Sequence, residues 1–106
     1  MFARVLEMKC KHGQARAQCT AIEKEVNPII EKYPGFLQGA CLIPEESPDT
    51  VLAISFWENK EAGEKFRTEG YPKVSAIYER FTEAGGIHLR KCDVAFAIVK
   101  SRAAKA

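Results

Sequence analysis

The chain lacks the features that identify several large classes of protein. Its charges are nearly balanced, with 16 lysines and arginines and 14 aspartates and glutamates. A basic surface that binds nucleic acid is therefore not expected. It has no long apolar run, and charges fall within its first ten residues, so we expect neither a signal peptide nor a membrane span, and hence a cytoplasmic protein. Its four cysteines include no C-x-x-C pair, which predicts reduced, partly buried thiols and no metal site.

The length of the chain fits a single domain. It has 106 residues, of which 46% are hydrophobic, and this is enough to build a core. We predict one domain over residues 2–99 and a flexible C-terminal tail over residues 100–106. Apolar residues at strand or helix spacing, separated by turns with proline and glycine, predict six elements. These are strands over 2–10, 36–43, 51–57 and 87–99, with helices from 15 to about 32 and from 59 to about 81.

This order, β-α-β-β-α-β, predicts an α+β, ferredoxin-like fold with a four-stranded antiparallel sheet and helices on one face. Both helices contain a proline. Pro28 lacks an N–H and crowds the carbonyl of Lys24, which predicts a kink in the first helix. The segment TEGYP is expected to interrupt the second helix, and Pro72 fits the first turn of its second part. Asn59 is the predicted N-cap of the second helix.

The predicted sheet is apolar on both faces. In the third strand, Val51, Ala53 and Trp57 point one way, and the residues between them that point the other way are also apolar. Helices can cover only one of these faces. Leaving ~500 Å² of apolar area exposed would cost about 12 kcal/mol at ~25 cal/mol per Å², which is comparable to the ~5–15 kcal/mol net stability of a domain. We therefore expect an isologous homodimer through the open sheet face.

One segment resembles a known family. YPGFLQGACLIPEESPDTVLAISFWENKEAGEKF is similar to the core of the antibiotic biosynthesis monooxygenase-like domains. The likeness rests on Pro34-Gly35-Phe36 entering a strand, Phe56-Trp57 ending the next strand, and Asn59 to Ala62 opening a helix. It implies a dimeric α/β barrel of ferredoxin-like subunits. Members of this superfamily include cofactor-free oxygenases of aromatic polyketides, haem-degrading oxygenases, proteins that modify signal molecules, and proteins without a known activity.

The haem-degrading branch does not fit this chain. Its pattern requires an asparagine in the first strand, the tryptophan that ends the third strand, and a haem-ligating histidine in the second helical region. The chain keeps Trp57, but its first strand, FARVLEMKC, has no asparagine, and its helix YPKVSAIYERF has no histidine. Ser75 and Ala76 cannot ligate iron. The resemblance therefore implies no cofactor.

The cofactor-free branch needs a dry pocket that holds an electron-rich arene beside one or two polar groups. We expect this pocket between the sheet and the helices. Arg4 interrupts an apolar stripe and either binds an anion in the sheet or pairs with a glutamate across the dimer. His12 and His88 lie in turns, where exposed histidines without a role are expected. The candidate pocket residues are Arg4, Trp57, Phe66, Tyr71, Tyr78, Phe81 and Phe96.

The predicted function is a cofactor-independent monooxygenase that acts on a small aromatic or quinol-like molecule. Two alternatives stay open. One is a non-enzymatic dimer that binds a small apolar or aromatic ligand or a protein partner, and the other is a structural or stress-response dimer with a filled core. A cavity of several hundred Å³ with a polar group inside would favour the first two hypotheses, whereas a solid core would favour the third.

Overall fold

The computed structural model describes residues 1–100 as one antiparallel sheet with helices packed on one face. The strands are β1 (Phe2–Cys10), β2 (Phe36–Leu42), β3 (Thr50–Trp57) and β4 (Thr82–Asp93). Their order in the sheet is β2-β3-β1-β4, which confirms the predicted ferredoxin-like topology. The helical segments are α1 (Ala15–Ala21), α2 (Asn27–Ile30), α3 (Lys60–Lys65) and α4 (Tyr71–Arg80), with π-helical turns over Ile22–Val26 and Phe66–Gly70. No helix in the described part of the chain is long and apolar enough to cross a membrane.

Both helical regions contain a π-helical turn, and in each the second residue after the turn is a proline. The Asn27 N–H donates to the carbonyl of Ile22, five residues back, and Pro28 follows. The Tyr71 N–H donates to Phe66 in the same way, and Pro72 follows. Because a proline has no N–H, it cannot donate the backbone hydrogen bond of an α-helical turn. The wider π-helical turn therefore loses no hydrogen bond at the proline. The predicted irregularity at Pro28 is therefore a π-helical turn that precedes it. The predicted break in the second helix is also a π-helical turn: α3 ends at Lys65, α4 begins at Tyr71, and Pro72 lies in its first turn as predicted.

The last strand differs from the prediction at both ends. We predicted a strand over 87–99 after a loop at residues 84–86, but β4 begins at Thr82 and ends at Asp93. The two glycines of the predicted loop lie inside the strand, where the pairing with β1 shifts register between Met8 and Cys10. Gly85 has a φ of +71°, which suits such an irregularity. Residues 94–100 form no regular element. The predicted tail beyond residue 100 lies outside the described residues.

The pairing register assigns the two faces of the sheet. Arg4 pairs with Ser55 and Leu6 pairs with Ala53, and these residues share the helix-covered face. Val5 pairs with Ile54 and, on its other side, with Arg90, and these side chains share the open face. The core lies between the helices and the covered face. Its buried members are Phe2, Leu6, Met8, Cys10, Ala15, Ile22, Val26, Ile30, Val51, Trp57, Phe66, Val74 and Tyr78.

The segments that carried the family resemblance are in contact where β2 and α3 begin. Asn59 is the N-cap of α3, as predicted, and its side-chain oxygen accepts from the Ala62 N–H at 2.9 Å. The carbonyl of Gly35 accepts from the Glu58 N–H at 2.8 Å, just before this helix. Gly35 has a φ of +86°, and a Cβ built on it would lie 2.6 Å from the Cβ of Ala62. A larger residue at either position would separate the start of β2 from the start of α3.

Candidate functional site

A cavity of about 420 Å³ lies between the first helical region and the covered face of the sheet. Its inner wall is built from buried residues of β1 and the helices, whereas its outer part is lined by exposed residues of α1 and β2, where it opens to solvent. This volume is toward the lower end of the ~300–1,000 Å³ of small-molecule pockets. The residues that line it are Arg4, Leu6, Arg16, Cys19, Thr20, Ile22, Glu23, Val26, Asn27, Ile30, Phe36, Gly39, Ala40, Cys41, Ala53, Ile54, Ser55, Phe66 and Tyr78.

Arg4 is the one cationic group in the inner wall. It is only 3% exposed, and its Nη1 has no hydrogen-bond partner among the described residues. Its guanidinium carbon lies 5.9 Å from the centroid of the Phe66 ring. Burial lowers the pKa of the Arg4 guanidinium from its ordinary value, and the negative charge of Glu64 opposes this. Arg4 stays charged at neutral pH, so the cavity contains a desolvated positive charge.

Glu64, the carboxylate whose charge acts on Arg4, forms no ion pair with it. Glu64 accepts from Arg67 Nε at 2.7 Å, and its other carboxylate oxygen lies 3.4 Å from Lys91 Nζ. No ion pair between Arg4 and a carboxylate is found within residues 1–100. Arg4 also faces the helices and not the open face, so a glutamate from a second copy docked on the open face would lie on the wrong side of the sheet. The expected pairing across the dimer is not supported.

Phe66 and Tyr78 are the buried aromatic residues of the wall, and Phe36 also lines the cavity. Phe66 is held against its neighbours, because a Cβ built on Gly70 would lie 2.4 Å from Phe66 Cδ1. Tyr78 is 4% exposed, and burial raises the pKa of its hydroxyl, which stays protonated at neutral pH. Gln18, which the sequence analysis did not single out, fixes this region: its amide nitrogen donates to the Tyr78 carbonyl at 2.9 Å and to Thr82 Oγ1 at 3.3 Å.

Trp57 lies behind this wall and does not line the cavity. It is fully buried and stacks on Phe66, with ring centroids 5.4 Å apart and an interplanar angle of 27°. Its other side contacts the edge of Phe36, with centroids also 5.4 Å apart. Its indole N–H donates to Ser55 Oγ at 2.9 Å. Trp57 is therefore a packing residue that supports the cavity wall from the core.

The other predicted pocket residues also lie outside the cavity lining. Tyr71 stacks on Tyr78 at 5.8 Å and is half-buried on the far side of it. Phe81 is half-buried at the end of α4, where its ring lies 5.8 Å from the guanidinium carbon of Arg80. Phe96 follows β4 and is 79% exposed. Its assignment to an inward-facing strand was wrong, because β4 ends before it.

The cavity has a polar rim that was not among the predicted site residues. Arg16, Thr20, Glu23 and Asn27 are exposed residues of the first helical region, and all of them line the opening. Their spacing of four, three and four residues places them in one stripe along this helical region. The spacing indicates that these four side chains share one face of the helical region. Polar residues that share a helix face are, however, usually solvated surface and not part of a binding site.

The cysteines and histidines add no reactive group to this site. All four cysteines are free. Desolvation, reinforced by the nearby thiol of Cys19, raises the pKa of the Cys41 thiol to about 12, and burial also raises the pKa of the Cys10 thiol. Both stay protonated and weakly nucleophilic at neutral pH. His12 pairs with Asp49 at 3.1 Å on the surface, outside the cavity. Residues 1–100 contain no cluster of His, Cys, Asp and Glu that could hold a metal ion.

This geometry can bind a compact organic molecule. The cavity supplies an apolar, aromatic surface, one desolvated cation at Arg4, and a protonated hydroxyl on Tyr78. Such a site can orient a molecule, exclude water from it and favour its ionised form.

Comparisons with known proteins agree with this architecture. Residues 1–80 match the model of the family described as antibiotic biosynthesis monooxygenase. None of the curated proteins matches the sequence. The fold resembles that of SnoaB, a cofactor-independent oxygenase from Streptomyces nogalater, with a TM-score of 0.74, 11% identity, and 93% of this chain and 97% of that chain covered.

Two further solved structures have the same fold. One is the monooxygenase ActVA-Orf6 of Streptomyces coelicolor in complex with nanaomycin D, with a TM-score of 0.75, 17% identity, and 94% of this chain and 92% of that chain covered. The other is a protein of unknown function from Nitrosomonas europaea, with a TM-score of 0.73, 13% identity, and 94% of each chain covered. At these identities the likeness establishes the fold alone.

Proposed function

Because the chain belongs to the antibiotic biosynthesis monooxygenase family, we propose that it is a cofactor-independent monooxygenase acting on a small aromatic or quinol-like molecule bound in the cavity. The observation that carries the proposal is the cavity itself, with its aromatic wall and its buried cation. A filled core would have favoured a structural role. The known activities of SnoaB and ActVA-Orf6 support the reaction class and not the substrate.

The proposed reaction uses the electrons of the substrate. An electron-rich phenol loses its proton, and the resulting phenolate ring reduces dioxygen directly. One oxygen atom enters the ring as a quinone oxygen, the other leaves as water, and the substrate is the only reductant. The protein contributes shape and desolvation, and a positive charge that favours the phenolate over the phenol. Each contribution has a candidate group in the cavity, namely the aromatic wall of Phe66 and Tyr78 and the guanidinium of Arg4.

The test is oxygen consumption with a panel of dihydroxynaphthalenes, anthrones and hydroquinones, using protein treated with a metal chelator. We expect at least one class to be oxidised faster than in buffer. Ala53→Phe, which places a ring in the cavity, should lower kcat/KM by about 100-fold, the scale of loss when a substrate is misplaced in its site. Ala76→Phe, at an exposed site on α4 away from the cavity, is the matched control.

Three results would count against this proposal. A folded Ala53→Phe variant with unchanged turnover would exclude the cavity as the site. Loss of activity on chelation would exclude the cofactor-free reaction. Binding of these molecules without any oxygen consumption would favour the alternative of a non-enzymatic binding protein.

We also propose that the protein forms a homodimer through its open sheet face. Val5, Leu52, Ile54 and Phe56 lie on that face by register and are only partly buried in the single chain. Beyond β4, the chain carries further apolar side chains without cover, and Phe96, Ile98 and Val99 are 79%, 85% and 80% exposed. Burying both sets against a second copy would remove apolar surface from water without adding a new partner.

The dimer predicts a molar mass of twice the chain mass by light scattering at micromolar concentration. Ile54→Lys, at the centre of the open face, should shift the protein to the monomer, because the interface would bury an unpaired charge. Leu89→Lys is the control: it is a surface leucine whose register partner Leu6 lies on the covered face. A monomeric wild type, or a dimer that survives Ile54→Lys, would refute this mode of association.

A further inference from the structure

We infer that the cavity selects an anionic ligand, an aromatic molecule whose carboxylate or ionised phenol oxygens pair with Arg4. This deepens the proposed function and depends on the cavity being the substrate site. An apolar ligand without charge would leave the most polar group of the cavity without a partner. The inference depends on four features of the site, namely the burial of Arg4, its missing partner, its position and the charges around it.

Burial makes an unpaired guanidinium unfavourable. Arg4 is 97% removed from solvent, since its exposure is 3%. Buried charges in proteins are almost always paired and hydrogen-bonded, because transfer from water without a partner carries a large free-energy penalty. Arg4 Nη1 has neither kind of partner among the described residues. A group of this kind in an otherwise apolar wall is consistent with a partner that arrives with the ligand.

The position of Arg4 directs it toward the cavity. It is on the central strand β1, on the covered face, and its side chain forms part of the cavity lining. A Cβ built on Gly63 would lie 3.6 Å from Arg4 Cδ, so α3 packs on the stem of the side chain. The Phe66 ring contacts it from the next helical turn. These contacts restrict the stem, whereas the hydrogen-bonding end keeps its free donors.

The charges around Arg4 leave it net positive. The groups whose charges act on it are Glu64 and Arg67, together with Tyr78 and Tyr71, which stay protonated at neutral pH. Glu64 Oε2 accepts from Arg67, and Glu64 Oε1 lies 3.4 Å from Lys91 Nζ without a hydrogen bond among the described residues. The inner cavity therefore attracts an anion, and a guanidinium fork matches a ligand with two coplanar oxygens such as a carboxylate.

The ligand size follows from the cavity volume. About 420 Å³ accommodates a compact aromatic molecule, and the wall of Phe66 and Tyr78 offers ring surfaces for it. The polar rim of Arg16, Thr20, Glu23 and Asn27 would contact substituents at the open end. The substrate class inferred is therefore an aromatic acid or an acidic polyhydroxy-arene, held with its anionic group inward.

The test compares 2-naphthoate with 2-naphthamide, which have the same ring system and similar size but differ in charge. Binding is measured by calorimetry under nitrogen, so that turnover plays no part. We expect the wild type to bind 2-naphthoate at least about tenfold more tightly than 2-naphthamide, since a charge-assisted hydrogen bond to a buried group is worth at least that ratio. The preference should persist in high salt, because a buried pair is weakly screened.

Arg4→Gln should remove the preference, leaving both molecules with similar affinities. Arg80→Gln, at an exposed arginine that pairs with Glu25 away from the cavity, should keep it. If Arg4→Gln does not fold, Arg4→Lys serves instead: it keeps the charge but loses the planar fork, and it should reduce the preference without abolishing it. Equal affinities in the wild type, no binding of 2-naphthoate, or a preference retained in Arg4→Gln would each overturn the inference.

The outcomes separate this inference from the proposed function. Oxidation of neutral quinols with no anion preference would leave the monooxygenase proposal standing and remove the role of Arg4. An anion preference that depends on Arg4, without oxygen consumption by any substrate, would keep the binding inference and refute the oxygenase proposal.

Discussion

Replacement of Trp57 by alanine is expected to lower the free energy of unfolding by about 3–5 kcal/mol, the usual cost of truncating a buried aromatic residue. The indole is fully buried between Phe66 and Phe36, and its N–H donates to Ser55. Its removal would leave a void behind the cavity wall. The loss should be visible as a lower urea midpoint in unfolding experiments that compare the variant with the wild type at equal protein concentration.

The matched variant Trp57→Phe separates packing from a direct role in binding. It keeps a ring in the stack and loses the hydrogen bond to Ser55, so the expected loss of stability is smaller, about 1–2 kcal/mol. Because Trp57 does not line the cavity, Trp57→Phe should change kcat/KM for any substrate found only slightly. A variant of normal stability with greatly reduced turnover would mean that Trp57 contacts the substrate, and the packing role assigned to it would be wrong.

Replacement of Arg4 by methionine is expected to have the opposite effect on stability. Methionine has a similar length and no charge, so it can fill the same space without a desolvated, unpaired cation. The free energy of unfolding should rise by about 1–3 kcal/mol, the scale on which an unsatisfied buried polar group destabilises a protein. In the same variant, the preference for anionic ligands should be lost. Urea unfolding without ligand measures the first effect.

Arg80→Met is the control for Arg4→Met. Arg80 is a surface residue that binds both carboxylate oxygens of Glu25, at 2.8 and 2.9 Å. Exposed ion pairs contribute about 0–1 kcal/mol, so this variant should be neutral or slightly less stable. If Arg4→Met instead lowered stability by several kcal/mol, Arg4 would be a structural residue with a partner, and its charge would not be available to a ligand.

The fold was predictable from the sequence because its determinants are local. Apolar residues at strand spacing predicted β1, a continuous apolar run predicted β3, helical spacing predicted the first helix, and Asn59 predicted the start of α3. The end of β4 was not predictable in this way. Val94, Phe96 and Ile98 alternate with small residues as a strand would, but a strand also needs a neighbour with free hydrogen-bonding groups. In the single chain, regular pairing with β1 ends at Asp93.

The candidate site was predicted only in part. Sequence patterns indicate which residues are buried, but not which of the buried residues face a cavity and which face the packed core. Phe66 and Trp57 are both buried aromatic residues in adjacent positions of the core, yet only Phe66 reaches the cavity. Arg4 was recognisable as an exception on an apolar stripe. The sequence does not show that Arg4 lacks a partner. This depends on the positions of Glu64 and of Arg67 and Lys91, the cations that lie beside Glu64.

The two π-helical turns bear on how much ordering must accompany ligand binding. The second residue after each turn is a proline, which has no N–H, so a regular α-helical turn would gain no backbone bond at that residue. One of these turns contributes Ile22, Glu23 and Val26 to the cavity, and the other contributes Phe66. The two prolines therefore help to fix the helical segments that line the cavity before a ligand is present. A preorganised cavity of this kind gives up little conformational entropy when it is filled.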